Sequence, residues 1–430
     1  MKRILTSIGP AIIIAAVVLG PGSIMTSTRV GAQLGLVGIP IIAVATALMM
    51  AMVLMATRLG AACEHSLCTE LSHRLSRPVA VSIGVILFLL VAIFQSSNNI
   101  AVISGMEPLA GTEVLTTSVR IGLLGLLNLV IVGVLYLLPN VYSSIERLMK
   151  LLIGIMVLAF VTNLAVVMSQ PRAYEPIADA GAIDWLAMLG MIGTTFSVPG
   201  AFYQAYLIRE KGWSVDEVRR GTLDSVLSIS ILGGITCVIL LTAWRVFHGH
   251  PQMPEMKSVG QLAIVLEPTI GRGAQFVFAG GILAGAFSSF LANALIGGTV
   301  LSDAVGLGSQ LEDRWPLHLT TLALFAGFGI AAVSLSREGS TVHLITFAQA
   351  LTVVGGPAIA AAIVYLGTRP DLYQRGHISG RLISVTTLGF VVACVLAALT
   401  VNKILPKIGR LLSAELTVSD SLNVVQPMSD

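Results

Sequence analysis

The sequence predicts an all-α integral membrane protein with about eleven transmembrane helices, and three observations carry that expectation. Of its 430 residues 55% are apolar and only 11% are charged, with a mean hydropathy of +0.90, whereas a soluble domain carries about 25% charged residues. Apolar stretches bounded by charged or Pro/Gly-containing loops recur at about residues 8–35, 38–57, 79–103, 119–139, 146–169, 183–208, 223–247, 274–301, 317–335, 341–367 and 380–402, each long enough to cross a bilayer at ~20 residues per span. The first and sixth stretches are interrupted by Pro and Gly near their middles. A chain so occupied leaves no room for a separate catalytic or nucleic-acid-binding domain. No Ser/His/Asp set, carboxylate pair or metal cluster stands in the apolar stretches, so neither an enzyme nor a resident cofactor is expected. The expected partners are the lipid bilayer and a small solute or metal ion, with no nucleic acid, and a monomer fits the sequence.

Orientation follows from the basic residues. With the N-terminus in the cytoplasm, fifteen Lys and Arg, from Lys2 and Arg3 to Arg381, fall on inner loops, and nine, including Lys257, Arg272 and Arg337, fall outside. That bias places the N-terminus inside, in what reads as a bacterial plasma membrane. Lys403, Lys407 and Arg410 follow the last span on the outer side, where an amphipathic tail or a twelfth element would account for them. Cys63 and Cys68 sit in a short polar loop beside Glu64 and His65. Without a second ligand pair at zinc spacing, they read as reduced thiols rather than a metal site.

Two interruptions organise the remainder. Gly20-Pro21-Gly22-Ser23 leads into the polar run Thr26, Ser27, Thr28 and Arg29; Thr194-Thr195-Phe196-Ser197-Val198-Pro199-Gly200 leads into Tyr203 and Gln204. Proline deletes a backbone donor and glycine frees the chain from helical angles. Exposed backbone inside a bilayer persists only where protein or a wet cavity receives it. One break alone reads as a proline kink. Two breaks, each opening a set of five spans, point to a transporter binding site near the bilayer midplane. An odd number of spans per half makes the halves inverted: residues 1–172 form one repeat, 173–370 the second, and 371–430 an extra span and tail.

These motifs resemble the Nramp divalent-metal transporters. Gly20-Pro21-Gly22-Ser23 followed by Gly31-Ala32-Gln33-Leu34-Gly35 is similar to the family's Asp-Pro-Gly-Asn and its Gly-Ala-Gln-Phe-Gly-like run. Gly193-Thr194-Thr195-Phe196-Ser197-Val198-Pro199-Gly200 resembles Gly-Ala-Thr-Val-Met-Pro-His. Leu283-Ala284, Ser288-Ser289, Gln349 and Pro357 add further similarity. The resemblance implies the LeuT-like five-plus-five inverted-repeat fold and transport of a divalent cation by alternating access. Carried over residue by residue, the family's metal positions fall on Gly20, Ser23, Thr195 and Val198. Its sixth-span histidines fall on Gly200 and Ala205, its third-span acidic pair on Gln95 and Asn98, and its second tenth-span glutamine on Gly355.

The ligand chemistry at those positions has changed. Carboxylate and thioether are gone, leaving hydroxyls at Ser23 and Thr195 and carbonyls freed around Gly20 and Val198. Neutral oxygens hold a dehydrated transition metal poorly, whereas Mg²⁺ keeps its waters and accepts outer-shell contacts. The expectation is therefore Mg²⁺ or another hydrated ion rather than Mn²⁺ or Fe²⁺. Proton coupling is expected to be weak or absent, because membrane-embedded carboxylates and histidines are the usual relays. Asp224 and Asp303, near the ends of spans seven and eight, read as helix-end residues. The run Gln95-Ser96-Ser97-Asn98-Asn99 wraps a whole helix circumference, so part of it faces a polar cavity while the rest joins helices. Arg29 either snorkels to the outer interface or adds positive charge to the cavity. In the latter case the alternative is a small polar or anionic organic solute with no metal binding, held by Gly20, Ser23, Thr195, Val198, Gly200, Gln95, Asn98 and Arg29.

Overall fold

The computed structural model of the chain describes residues 9–110, 115–137, 140–172, 174–175, 184–250, 259–336 and 340–423. Lys2, Arg3, Lys257 and Arg337 of the charge count, and the lead-in to the sixth span at residues 176–183, lie outside the described residues. All regular structure among the described residues is helical.

The first span is two half-helices, α1 (Ala11–Val18) and α2 (Pro21–Leu34), and the second is α3 (Gly38–Ala62). A short α4 (Leu67–Arg74) precedes spans three to five: α5 (Arg77–Ala110), α6 (Thr117–Leu137) and α7 (Val141–Ser169). The sixth span is again split, into α8 (Trp185–Thr195) and α9 (Val198–Glu210). Then come α10 (Val218–Phe247), α11 (Val259–Ala304), α12 (Arg314–Leu335), α13 (Ser340–Gly367), the short α14 (Pro370–Arg375) and α15 (Gly380–Asn423). Among the described residues nine helical stretches are long and apolar enough to cross a bilayer, the first running from Pro21 to Ala62. The half-helices α1, α8 and α9, with 8, 11 and 13 residues, are each too short to cross alone. Counting each broken pair as one span gives eleven. The backbone of α15 stays helical to Asn423, so the basic tail continues the eleventh helix instead of forming a twelfth element.

Span eight is the central post: α11 packs against α5, α7 and α12, while α2 packs against α10 and α8, and α9 against α3. Helices in lipid gain from close backbone approach more than from apolar burial, and glycine supplies it here. A Cβ on Gly31 would stand 2.5 Å from the Leu240 carbonyl oxygen of α10, and one on Gly60 of α3 would stand 2.5 Å from that of Ala205 in α9. The outward faces of α6 and α7 expose Leu126, Leu129, Leu137, Leu151 and Leu158, as lipid contact requires.

Two buried carboxylates fix helix ends. Asp224 of α10 accepts from the backbone N–H groups of Gly9 (2.7 Å) and Ala11 (2.8 Å), capping α1 from another helix. Asp303, at the end of α11, accepts from Ser66, Thr69 Oγ1, the Cys68 N–H and the Tyr206 hydroxyl, pinning the start of α4. Both satisfy donors that a helix start leaves open. Cys63 and Cys68 are free and buried, and burial pushes the Cys63 thiol up to about 12, far from the thiolate form that binds metal.

Candidate functional site

Each break follows from one proline. Pro21 is the first residue of α2, and Gly20 before it is extended (φ −87°, ψ −179°). The missing N–H of Pro21 is the one that would have bonded the Val17 carbonyl in a continuous helix. Two side chains of α11 take its place: Ser289 Oγ donates to Val17 O at 2.9 Å and Asn293 Nδ2 at 3.3 Å. Pro199 in the same way releases the Thr195 carbonyl, and Ser197 between the halves of span six is extended (ψ 92°).

The two breaks face one small cavity. Val17 and Val18 from the first break meet Gly193, Thr194, Ser197 and Pro199 from the sixth, closed by Leu90, Val91 and Phe94 of α5, Asn293 and Thr352. Its volume is about 30 Å³, room for no more than a water or two. A second cavity of about 30 Å³ lies on the α2/α8 side, among Met25, Thr26, Arg29, Gly190 and Gln349. Neither is lined by a carboxylate or a histidine.

Near the two breaks stand buried side-chain atoms with no hydrogen-bond partner: Ser23 Oγ, Asn98 Oδ1, Thr195 Oγ1 and both Oε1 and Nε2 of Gln349, the last of these residues lining the second cavity. All four residues are at most 2% exposed. Asn98 Oδ1 lies 3.7 Å from where a Cβ on Gly20 would stand, and the Gln349 amide fills the notch left by Gly22. Such groups cost free energy unless a ligand or water answers them.

The sequence-predicted residues separate into groups. Gly20, Ser23 and Asn98 come together at the first break, and Thr195 and Val198 end and begin the halves of the sixth. Gly200 lies in the first turn of α9, where a Cβ would meet Ile14 at 3.3 Å, Ser197 Oγ at 3.4 Å and Met49 at 3.8 Å. Gln95 is spent on structure, its Nε2 donating to Phe290 O of α11 at 2.7 Å and its Oε1 accepting from Asn98 Nδ2 at 2.7 Å. Asn99 accepts from Asn128 of α6 at 2.8 Å, so the third-span run divides between interhelical bonding and the site.

Arg29 lines the second cavity and is also part of an ion pair. Its Nη1 stands 3.7 Å from Asp184 Oδ2, both side chains being about a quarter to a third exposed. Asp184 also caps α8 through the Ala187 N–H (3.1 Å), and its own N–H reaches Gln33 Oε1 of α2 at 2.9 Å. Asp184 thus clamps α2 to α8. Its signal in the sequence is that of an N-cap, an Asp directly before an apolar helical run.

Over residues 11–405 the chain matches the family model described as natural resistance-associated macrophage protein-like, Nramp. The chain belongs to the Nramp family. Similar curated relatives are the divalent metal cation transporters MntH of Verminephrobacter eiseniae, 24% identical over 83% of this chain and 80% of the relative, and of Chromohalobacter salexigens, 24% identical over 91% and 89%. The manganese transporter of Eremococcus coleocola, solved in complex with an aromatic bis-isothiourea compound, superposes with a TM-score of 0.73 at 18% identity, over 98% of this chain and 92% of that one. A nucleobase-cation-symport-1 family transporter in a closed conformation superposes at 0.57 and 12% identity, over 93% of each chain. This Nramp-family chain is a multi-pass membrane protein with the LeuT-like fold, spans one and six broken, and the relatives it matches are named as transporters.

Proposed function

We propose that this Nramp protein carries a divalent cation across the membrane by alternating access, taking Mg²⁺ or another ion with much of its hydration shell in preference to Mn²⁺ or Fe²⁺. The observation that carries the proposal is the shell of buried, unpartnered neutral oxygens at Ser23, Asn98, Thr195 and Gln349 around two carboxylate-free breaks. The waters of a hydrated cation present only hydrogen-bond donors outward, and these oxygens are acceptors. The cavities of about 30 Å³ hold a water or two, so the cation enters in a more open state than this one.

Proton coupling is weak or absent in this reading. Positions 200, 205, 95, 98 and 355 carry Gly, Ala, Gln, Asn and Gly, while Asp224 and Asp303 are engaged as caps. The N-terminus lies in the cytoplasm of a bacterial plasma membrane, residues 1–172 and 173–370 are the two inverted repeats, and 371–430 is the added span and tail. The alternative, a small polar or anionic organic solute, would draw on Arg29, which lines the second cavity while standing 3.7 Å from Asp184. The test is flux in proteoliposomes of the full chain, with Mg²⁺ and Mn²⁺ and an internal pH dye. Mg²⁺ uptake without matched acidification is expected. Absence of binding and of flux for both ions at millimolar concentration would refute metal transport and turn the search to amino acids, organic acids and amines.

A further inference from the structure

We infer that the chain carries a second site for a hydrated divalent cation on its cytoplasmic side, enclosed by the end of α9, the start of α7 and the α11–α12 connection; it stands independently of the transport reading above. Three observations lead there. The first is space. A third cavity, of about 370 Å³, is lined by Arg209 and Glu210 of α9, Asn140 and Tyr142 at the start of α7, and Gln310 and Glu312 of the connection. It shares no lining residue with the cavities at the breaks. Six waters at about 30 Å³ each take about 180 Å³, so a cation with its full shell fits.

The second observation is the chemistry of the walls. Glu210 accepts from the Leu311 N–H through Oε1 at 2.6 Å, which leaves its other oxygen for a ligand. Glu312 and the side-chain carbonyls of Asn140 and Gln310 add further acceptors. Arg209 is the one cation among the lining residues, and its guanidinium is bonded to the carbonyls of Cys63 (2.8 Å) and Glu64 (3.0 Å). Two carboxylates against one guanidinium leave the lining net negative. Lys150 and Lys211 both bond Glu146, at 2.6 and 2.7 Å, and neither lines the cavity. Burial and the like charges of Glu312 and Asp313 make a bare carboxylate at Glu210 costly, with the Leu311 N–H and Arg209 offsetting part of that cost; a cation in the cavity answers the rest.

The third observation is Tyr142. It is only 7% exposed, and its hydroxyl is buried with no hydrogen-bond partner. A water of a cation's shell donates to such an oxygen. No group of three or more His, Cys, Asp or Glu that could hold a bare ion is present among the described residues, so the ion keeps its inner waters and is held through them, as Mg²⁺ readily is. Bound there, it touches three elements at once and favours the arrangement that keeps them together.

The chelator-washed, full-length protein in detergent tests this at constant ionic strength. Mg²⁺ should raise the melting temperature saturably, and calorimetry should show a binding phase that Thr195→Ala retains. Glu210→Gln with Glu312→Gln should weaken that phase at least about tenfold, and Tyr142→Phe, which removes only the hydroxyl, about threefold. If the double variant does not fold, Glu312→Gln alone, at an exposed position, must still weaken it. A phase unchanged in these variants, a phase lost with Thr195→Ala, a stabilisation matched by NaCl at equal ionic strength, or no saturable response to Mg²⁺ would overturn the inference. Flux is read separately: Mg²⁺ flux without this phase sinks the site and leaves the transport reading standing, and the phase without flux does the reverse.

Discussion

The middle of this molecule and its helix ends use oxygen in opposite ways. Asp224 and Asp303 are buried carboxylates with their acceptors filled by N–H and O–H donors from other elements. At the two breaks no carboxylate lines either cavity, and the oxygens of Ser23, Asn98 and Thr195 stand buried and unanswered. Carboxylates are placed where they hold helices in position, and the cavities at the two breaks are lined by neutral side chains and Arg29. A fully hydrogen-bonded carboxylate is rigid, whereas a neutral, partnerless oxygen can accept a water or a hydrated ion and release it.

The sharpest way to break that contrast is at Asp303. Replacement by Ala strands four donors in a buried site and should destabilise the protein by about 3–5 kcal/mol, read from unfolding in a graded detergent series. Asp224→Ala orphans the N–H groups that start α1 and should cost about 2 kcal/mol, with earlier proteolysis near the N-terminus as a second readout. A wild-type-like midpoint for either variant would contradict the assignment of these carboxylates as caps.

The next effect is a pH dependence. Glu210 lies just beyond the membrane-embedded part of the sixth span, and burial, opposed in part by the Leu311 N–H, pushes it from 4.5 up to about 7. A folded pKa above the unfolded one means the folded state holds the proton longer. Its contribution is therefore fully present below about 4.5 and is lost as pH rises through about 7. Glu210→Gln should flatten the fall in melting temperature across that window; an unchanged slope would assign it elsewhere. The smallest effect belongs to the Arg29–Asp184 pair. At 3.7 Å and partly exposed, it should show a coupling below about 1 kcal/mol in a double-mutant cycle, shrinking as salt is added.

Much of this was legible along the chain because lipid simplifies the problem. Span lengths and the two Pro/Gly breaks follow from a rule that backbone groups be satisfied inside a bilayer, and both breaks are where the sequence places them. The third-span run shows the limit. Its composition says that some of Gln95 to Asn99 meets a polar surface, but only packing against Phe290 and Asn128 separates Gln95 and Asn99, which join helices, from Asn98, which faces Gly20. Arg29 is similar, since its partner Asp184 is distant in sequence and lies at the start of another half-helix.

By itself the sequence determined that the chain is a bundle of membrane-crossing helices, that spans one and six are interrupted, and that the family's carboxylate and thioether are absent from the interruptions. These are local properties, fixed by hydropathy, by proline's missing donor and by the identity of each side chain. Only the tertiary structure decided what answers the freed Val17 carbonyl, what lies against Gly20, and which carboxylates are caps. Each depends on which residue of α11, α10 or α8 lies opposite, and that is a matter of distance in space that no spacing along the chain encodes.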